Sequence, residues 1–279
     1  MNEKLYRKLS NRVLDLLTFI FVGFAIFPFI WALSTSFKYI EEIYQIPPSI
    51  LPEKFSLHNY SVIFEQMPFL RFAFNSLLIT FATIVITVIL SLLGGYAFSR
   101  FRFPFKYILL MLILIPRIIP SITRVIPLYQ LFSEIGLLDS YLGLILPYVA
   151  DATPIGIWVL MGFFDGIPKS IDEQALVDGC SKLEALIKVI VPLTKPGMIS
   201  VALFAFIRSW NEFIIALTFM RGEMMTLPVG HYRVFEFFGI RHWGAINAYT
   251  IIVVIPIVLF FIFFEREMIR GMTAGSVKG

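Results

Sequence analysis

Six times along this chain the sequence turns apolar for about 20 residues or more, and each time a polar stretch ends the run. The hydrocarbon layer of a bilayer is about 30 Å thick and a helix rises about 1.5 Å per residue, so about 20 mainly apolar residues cross it. The segments at about 13–36, 72–99, 107–132, 140–163, 198–219 and 247–265 meet that length. Lipid offers no water to backbone N–H and C=O groups, so continuous apolar runs of this kind must satisfy them internally, as helices. The pattern predicts an all-α polytopic membrane protein with six transmembrane helices, forming a single transmembrane domain over residues 1–279. Composition argues against a soluble fold, because 58% of the chain is hydrophobic and 15% charged, against about 25% charged in an average soluble domain. The first run follows Lys4, Arg7, Lys8 and Arg12 in the manner of a signal peptide. It is much longer than the roughly 7 to 15 residues of a signal core, and is read as a retained span.

An even number of crossings puts both termini on one side, and lysine and arginine placement says which. With the termini inside, the inner segments hold 14 of the 23 basic residues and the outer segments 6, while Arg117, Arg124 and Arg208 fall within spans. The expectation is a multi-pass protein of the inner (cytoplasmic) membrane with both termini cytoplasmic and a cytoplasmic tail at 266–279. Residues 168–196 then form a cytoplasmic loop between the fourth and fifth helices. The small net charge of +4 is spread as topology requires, not gathered on one face as nucleic-acid binding demands. A single cysteine, Cys180, and the scattered His58, His231 and His242 suggest no metal site.

The loop has the composition of a soluble protein. Ser170 with Glu173 and Ser181 with Glu184 have the S-x-x-E spacing in which serine caps a helix start and glutamate returns to the capping N–H. Two short helices are therefore expected, with Asp178-Gly179 as the turn between them. Leu183, Leu186, Ile187 and Ile190 fall at helical spacing and predict one apolar stripe on the second helix. Pro192 and Pro196 end it before the fifth span.

The stretch EQALVDG at 173–179, followed by Pro192, resembles the E-A-A-x-x-D-G…P signature of inner-membrane permease subunits of ABC importers. Gln174 stands where alanine is usual. NSLLIT at 75–80, GYAFSRFRFPFK at 95–106, PLYQLF at 127–132 and WNEFIIAL at 210–217 agree with that resemblance. The ending IRGMTAGSVKG at 269–279 is similar to the R-G-x-T-A-G-x-V-K-G tail of maltose-type permeases, in the carbohydrate-uptake branch. The resemblance implies that Glu173, Gln174, Ala175, Asp178, Gly179 and Pro192 form a coupling loop that docks into a dimeric cytoplasmic ATPase. Glu173 then pairs with a basic residue of that ATPase, and Thr273, Ala274 and Gly275 of the tail contact it. It further implies a second permease subunit in a heterodimer, and an extracytoplasmic sugar-binding protein that delivers a di- or oligosaccharide. Part of the polar and aromatic segment at 220–246 would reach toward that binding protein; an interfacial belt would use the same aromatic residues. The chain contains no G-x-x-x-x-G-K-[ST] motif, so ATP and Mg belong to the partner ATPase, and this chain is expected to be no enzyme and to bind no cofactor.

Charges inside spans are costly, on the order of 2.5–3.5 kcal/mol each, and should face the bundle interior. Arg117 and Arg124 are seven apart, so they are expected to share one helix face, and Pro116, Pro120 and Pro127 interrupt the same segment. Arg117, Arg124, Asp151, Trp210, Asn211 and Glu212 are read as bordering the translocation pathway, with Trp210 offering its ring to a sugar. The plainer alternative pairs the arginines with Asp151 or Glu212 to hold the bundle together. Gly94 and Gly95 are expected to permit close helix packing. An ion-coupled secondary transporter is the alternative function; it would tend to show paired broken helices in inverted repeats, and the prolines concentrate in one span. A membrane-embedded enzyme would need a convergent nucleophile or metal set.

Overall fold

A computed structural model describes residues 3–238 and 242–274, with side chains described at 11–234, 236 and 242–265. Among these residues every regular element is helical. Helix α1 (Glu3–Ser36) is followed by α2 (Ile40–Ile43), α3 (His58–Gln66), α4 (Phe69–Arg100) and α5 (Lys106–Leu114), which runs into a 3-10 turn at Ile115–Ile118. Next come α6 (Ser121–Glu134), α7 (Tyr141–Asp165), α8 (Lys169–Val177) and α9 (Lys182–Ala185), with a π turn at Leu186–Ile190. The chain continues through α10 (Val191–Leu193), α11 (Lys195–Trp210), α12 (Ile214–Phe219), a 3-10 turn at Gly222–Met224, α13 (Leu227–Phe238) and α14 (Trp243–Ala274).

Four of these helices are each long and apolar enough to cross a membrane: Asn11–Ser36, Phe69–Arg100, Tyr141–Asp165 and Trp243–Glu265. Two bent pairs, Lys106–Ile118 with Ser121–Glu134 at 97° and Lys182–Leu193 with Lys195–Trp210 at 78°, pass the same test only when joined, which gives up to six if each pair is one span. The expected span at 107–132 is therefore no straight helix. Ile119 and Pro120 are extended at the bend, since a residue before proline is pushed out of the helical region and proline itself donates no hydrogen bond. The expected span at 198–219 is also divided, by Asn211–Phe213 between α11 and α12.

The chain forms two units. In the first, residues up to Pro68 with His231–Ile255, the segment after α1 folds back on the helix end. Asn59 donates to the carbonyls of Ser36 and Lys38 at 3.0 and 2.8 Å. One carboxylate oxygen of Glu42 accepts from Ser49 Oγ and Glu53 N–H, both at 2.8 Å. The segment from Phe37 to Asn59 is thus ordered by its own polar groups.

The second unit, Phe69–Gly230 with the chain from Pro256, is built on α4, α7 and α11. Ser76, Thr80, Thr83, Thr87, Ser91 and Gly95 of α4 recur every three or four residues and are buried. Small residues at that spacing let helix backbones approach, the packing mode available where lipid cancels the hydrophobic drive between helices. A Cβ at Gly95 would stand 2.9 Å from Leu160 Cβ, and one at Gly156 of α7 would stand 2.0 Å from Ser91 Oγ. A Cβ at Gly94 would meet Ile157 Cγ1 at 2.8 Å, so both glycines of the expected pair sit at the contact. At its other end α4 holds the segment after α12: Asn75 donates to the carbonyls of Glu223 and Met225 and accepts from Tyr141 OH, and Arg71 pairs with Glu223.

Candidate functional site

Two polar assemblies stand out in the second unit. The first is the paired-helix loop at 168–196. Its first expected capping box does not form: α8 begins at Lys169 with Pro168 as its N-cap, and no side chain caps it. Pro168 (φ −55°, ψ 134°) already sets the extended entry, which moves Ser170 into the first turn and leaves the Glu173 side chain exposed. The second box does form, with Ser181 Oγ accepting from Glu184 N–H at 3.3 Å and Glu184 accepting from Ser181 N–H at 3.0 Å. Lys188 donates to the same carboxylate at 2.9 Å. Its hydrogen bond, followed by those from Ser181, holds the Glu184 carboxyl down at about 2. Between the helices Gly179 takes φ +90°. Its N–H bonds Leu176 O and the N–H of Cys180 bonds Ala175 O, the pair of bonds that closes a helix on a left-handed residue.

The loop is rooted in the bundle by both charge and packing. Arg100 Nε, at the end of α4, lies 2.9 Å from Asp172 Oδ2, with side chains only 7% and 14% exposed. Arg100 also donates to the carbonyls of Phe164 and Ile167, and Tyr96 OH to Asp172 Oδ1. Leu186 and Ile190 pack with Leu160, Phe164 and Val201 in one buried cluster, each buried aliphatic side chain worth about 1.5–3 kcal/mol. The expected single stripe is split, since Leu183 and Ile187 are exposed. Leu176 and Val177 at the end of α8 are exposed as well, the latter 87%. Of the expected docking residues, Glu173, Gln174, Asp178, Gly179 and Pro192 are exposed, while Ala175 points inward.

The second assembly is a cavity of about 820 Å³ whose wall includes Arg124, Pro147, Asp151, Arg208, Asn211 and Glu212. Arg124 and Arg208 each place an Nη2 3.0 Å from a different oxygen of Asp151. Arg117 Nη1 donates to the Asp151 carbonyl at 2.6 Å and lies 3.8 Å from its carboxylate, with its guanidinium over the Phe204 ring. Glu212 does not pair with these arginines. It accepts from Tyr148 OH at 2.7 Å and from the N–H groups of Ile215 and Ala216, which starts α12 and explains the break after α11.

Residues 87–266 match the family described as binding-protein-dependent transport system inner membrane component. The chain belongs to this family. It is 36% identical over 272 residues to a trehalose transport system permease protein of Mycobacterium tuberculosis, covering 96% of each chain. It is 33% identical over 257 residues to a trehalose/maltose transport system permease protein of Thermococcus litoralis, covering 91% of this chain and 92% of that one. In fold it is similar to a chain of a bacterial ABC transporter involved in import of the acidic polysaccharide alginate. The TM-score is 0.82 at 21% identity, over 95% of this chain and 98% of that one.

In this inner-membrane permease the structure gathers Arg117, Arg124 and Asp151 at one point and sets Asn211 and Glu212 on the same cavity wall. The two arginines do so from different elements, the 3-10 turn and α6, and not from one helix face. Trp210 is not with them: it is 1% exposed and stacked on Phe206, so its ring offers no face to a solute in this conformation. The side chains of Thr273 and Ala274, and all of Gly275, lie outside the described residues. Arg208, Tyr148, Arg100 and Asp172 are structurally central yet were not assigned to either site by sequence. Arg208 carries a signal, as one of three arginines in apolar runs; for Arg100 and Asp172 the signal is an arginine at a span end and an acid in the loop's first turn.

Proposed function

We propose that this permease forms half of the translocation pathway of an ATP-driven importer for a di- or oligosaccharide. A separate dimeric ATPase, which carries ATP and Mg, grips the 170–192 loop, and an extracytoplasmic binding protein delivers the solute. The other half of the pathway is a second permease subunit. Both termini and the loop face the cytoplasm, in keeping with the placement of basic residues, and Thr273, Ala274 and Gly275 add a tail contact to the ATPase. This chain supplies no catalytic group and binds no cofactor. The names of the trehalose and maltose relatives support a saccharide as solute. Another structure similar in fold is that of a bacterial alginate ABC transporter in complex with an alginate pentasaccharide-bound periplasmic protein, with a TM-score of 0.59 at 15% identity.

The observation that carries the coupling role is the loop's two-sided build. Its inner side is fixed to α4, α7 and α11 through Asp172, Leu186 and Ile190, so a push on the loop moves the helices that carry Asp151 and Arg208. Its outer side presents apolar area and Glu173 to a partner. Glu173→Gln keeps the shape and removes the charge. In the assembled importer it should cut binding-protein-stimulated ATP hydrolysis and uptake by about tenfold, the loss expected of one interfacial charge-assisted hydrogen bond. Unchanged stimulation and uptake would remove Glu173 from the docking role. A purified assembly without any ATP-hydrolysing subunit would overturn the whole reading.

A further inference from the structure

The cavity beside Asp151 is electrostatically unbalanced. Three guanidinium groups, of Arg117, Arg124 and Arg208, meet one carboxylate, so at the contact itself two positive charges have no carboxylate of their own. Among the described residues no other carboxylate stands within 4.0 Å of them. Glu212, the other acid on the cavity wall, offsets these charges only at longer range, because its oxygens are taken by Tyr148 OH and two backbone N–H groups. Arginine cannot discharge itself by losing a proton, and excess charge at membrane depth is unfavourable until it is paired or hydrated. The donors are not exhausted either. Arg124 Nε is buried with no hydrogen-bond partner, and the Arg208 side chain, on the cavity wall, is 48% exposed.

Neutral saccharide hydroxyls can fill hydrogen bonds but cannot offset charge, whereas an acid group does both, and the planar fork of arginine matches carboxylate, sulfonate, sulfate or phosphate oxygens. We propose that the solute passing this cavity is an anionic saccharide whose acid group is received by Arg124 and Arg208. Asp151 is the resident anion that keeps the guanidiniums oriented when the solute is absent. The proposal rests on the carbohydrate-import reading and narrows it to acidic sugars.

The test uses the assembled importer in nanodiscs of zwitterionic lipid, so that no lipid of net negative charge competes. Digalacturonate and maltose serve as the acidic and neutral probes, with calorimetric titration as the readout. Digalacturonate should bind at least tenfold more tightly than maltose, and the advantage should shrink as salt rises. Arg208→Gln should weaken digalacturonate binding about tenfold and maltose binding much less, so that the ratio between the two probes falls. Asp151→Asn should instead tighten digalacturonate binding by removing the competing carboxylate, an outcome that mere misfolding would not produce. Equal binding of the two probes, binding of neither, or an acid preference that survives both Arg208→Gln and Arg124→Gln overturns the proposal. Equal binding of the two probes is the result expected if an acidic residue of the second permease fills the site. An importer that hydrolyses ATP and takes up a neutral sugar refutes the acidic solute alone; one that hydrolyses no ATP refutes import itself.

Discussion

Arginine meets aspartate at two places in the second unit, under opposite conditions. At the root of the loop one arginine faces one aspartate; both are nearly dry, and Tyr96 OH and two carbonyls add hydrogen bonds around Arg100 and Asp172. At the cavity three arginines face one aspartate, and Arg208 is half exposed. A balanced, closed pair holds two parts of a molecule in one geometry, since any departure strands a buried charge. An unbalanced, open cluster has capacity left for something that comes and goes. Under the coupling and solute proposals above, the same two residue types would serve transmission in one region and recognition in the other, and the difference lies in stoichiometry and access.

The largest predicted effect tests the closed pair. Arg100→Met leaves Asp172 charged and buried, and removal of one partner from a buried pair costs about 3–5 kcal/mol. The unfolding midpoint of the purified complex should fall sharply, and ATP hydrolysis should lose its link to uptake. The double change Arg100→Met with Asp172→Leu should recover most of the stability, because replacing both charges by apolar groups is often neutral. A double variant as unstable as the single one would mean that the ion pair is not what Arg100 contributes.

A middle-sized effect tests the frame on which both regions rest. Gly156→Ala puts a methyl group 2.0 Å from Ser91 Oγ, and overpacking of that kind costs about 1–3 kcal/mol. It should disturb α4 against α7, and with them both the loop root and the cavity. Adding Ser91→Gly should restore much of the loss. If Gly156→Ala is harmless by itself, the α4–α7 contact is looser than the geometry says.

Arg208→Gln stands at the other end of the comparison. The side chain is 48% exposed, and an ion pair that open to water contributes about 1 kcal/mol or less. Thermal unfolding should move little while solute selectivity moves much. A stability loss as large as that of Arg100→Met would make the cavity cluster a second structural clamp and erase the contrast.

The sequence made the first level of this architecture readable because span length is a local property: 20 apolar residues in lipid have few alternatives. The loop helices were readable for the same reason, through the Asp178-Gly179 turn and the Ser181–Glu184 cap. What failed was also local, but two residues out. Pro168 occupies the cap position that Ser170 was expected to fill. The prolines at 116 and 120 announced a break without fixing its angle, and a 97° bend ends any shared face for Arg117 and Arg124. The site was legible as residue types and not as pairs. That Asp151 collects three arginines, that Glu212 caps a helix instead, and that Trp210 turns into the packing depend on which helices lie beside each other, which periodicity does not encode.

The smallest effect concerns the surviving capping box, an exposed counterpart to the closed pair at the loop's root. Glu184 is held at about 2, against an ordinary value of 4.5, by Lys188 first and then Ser181. A carboxyl lowered on folding stabilises the folded form fully above its ordinary value, and that contribution fades as pH falls toward the folded value. Helix α9 should therefore keep its cap from neutral pH down to about 4.5, weaken below it and lose the contribution near pH 2. An NMR titration of the Glu184 carboxyl should show a midpoint well below 4.5. Glu184→Gln should speed amide exchange over 182–190 at pH 7, with the difference from the parent chain vanishing toward pH 2. A midpoint near 4.5 would mean that Lys188 and Ser181 do not hold the carboxylate in solution. The second helix of the loop would then owe its order to Leu186 and Ile190 alone, and the loop's rigidity would come entirely from the buried side.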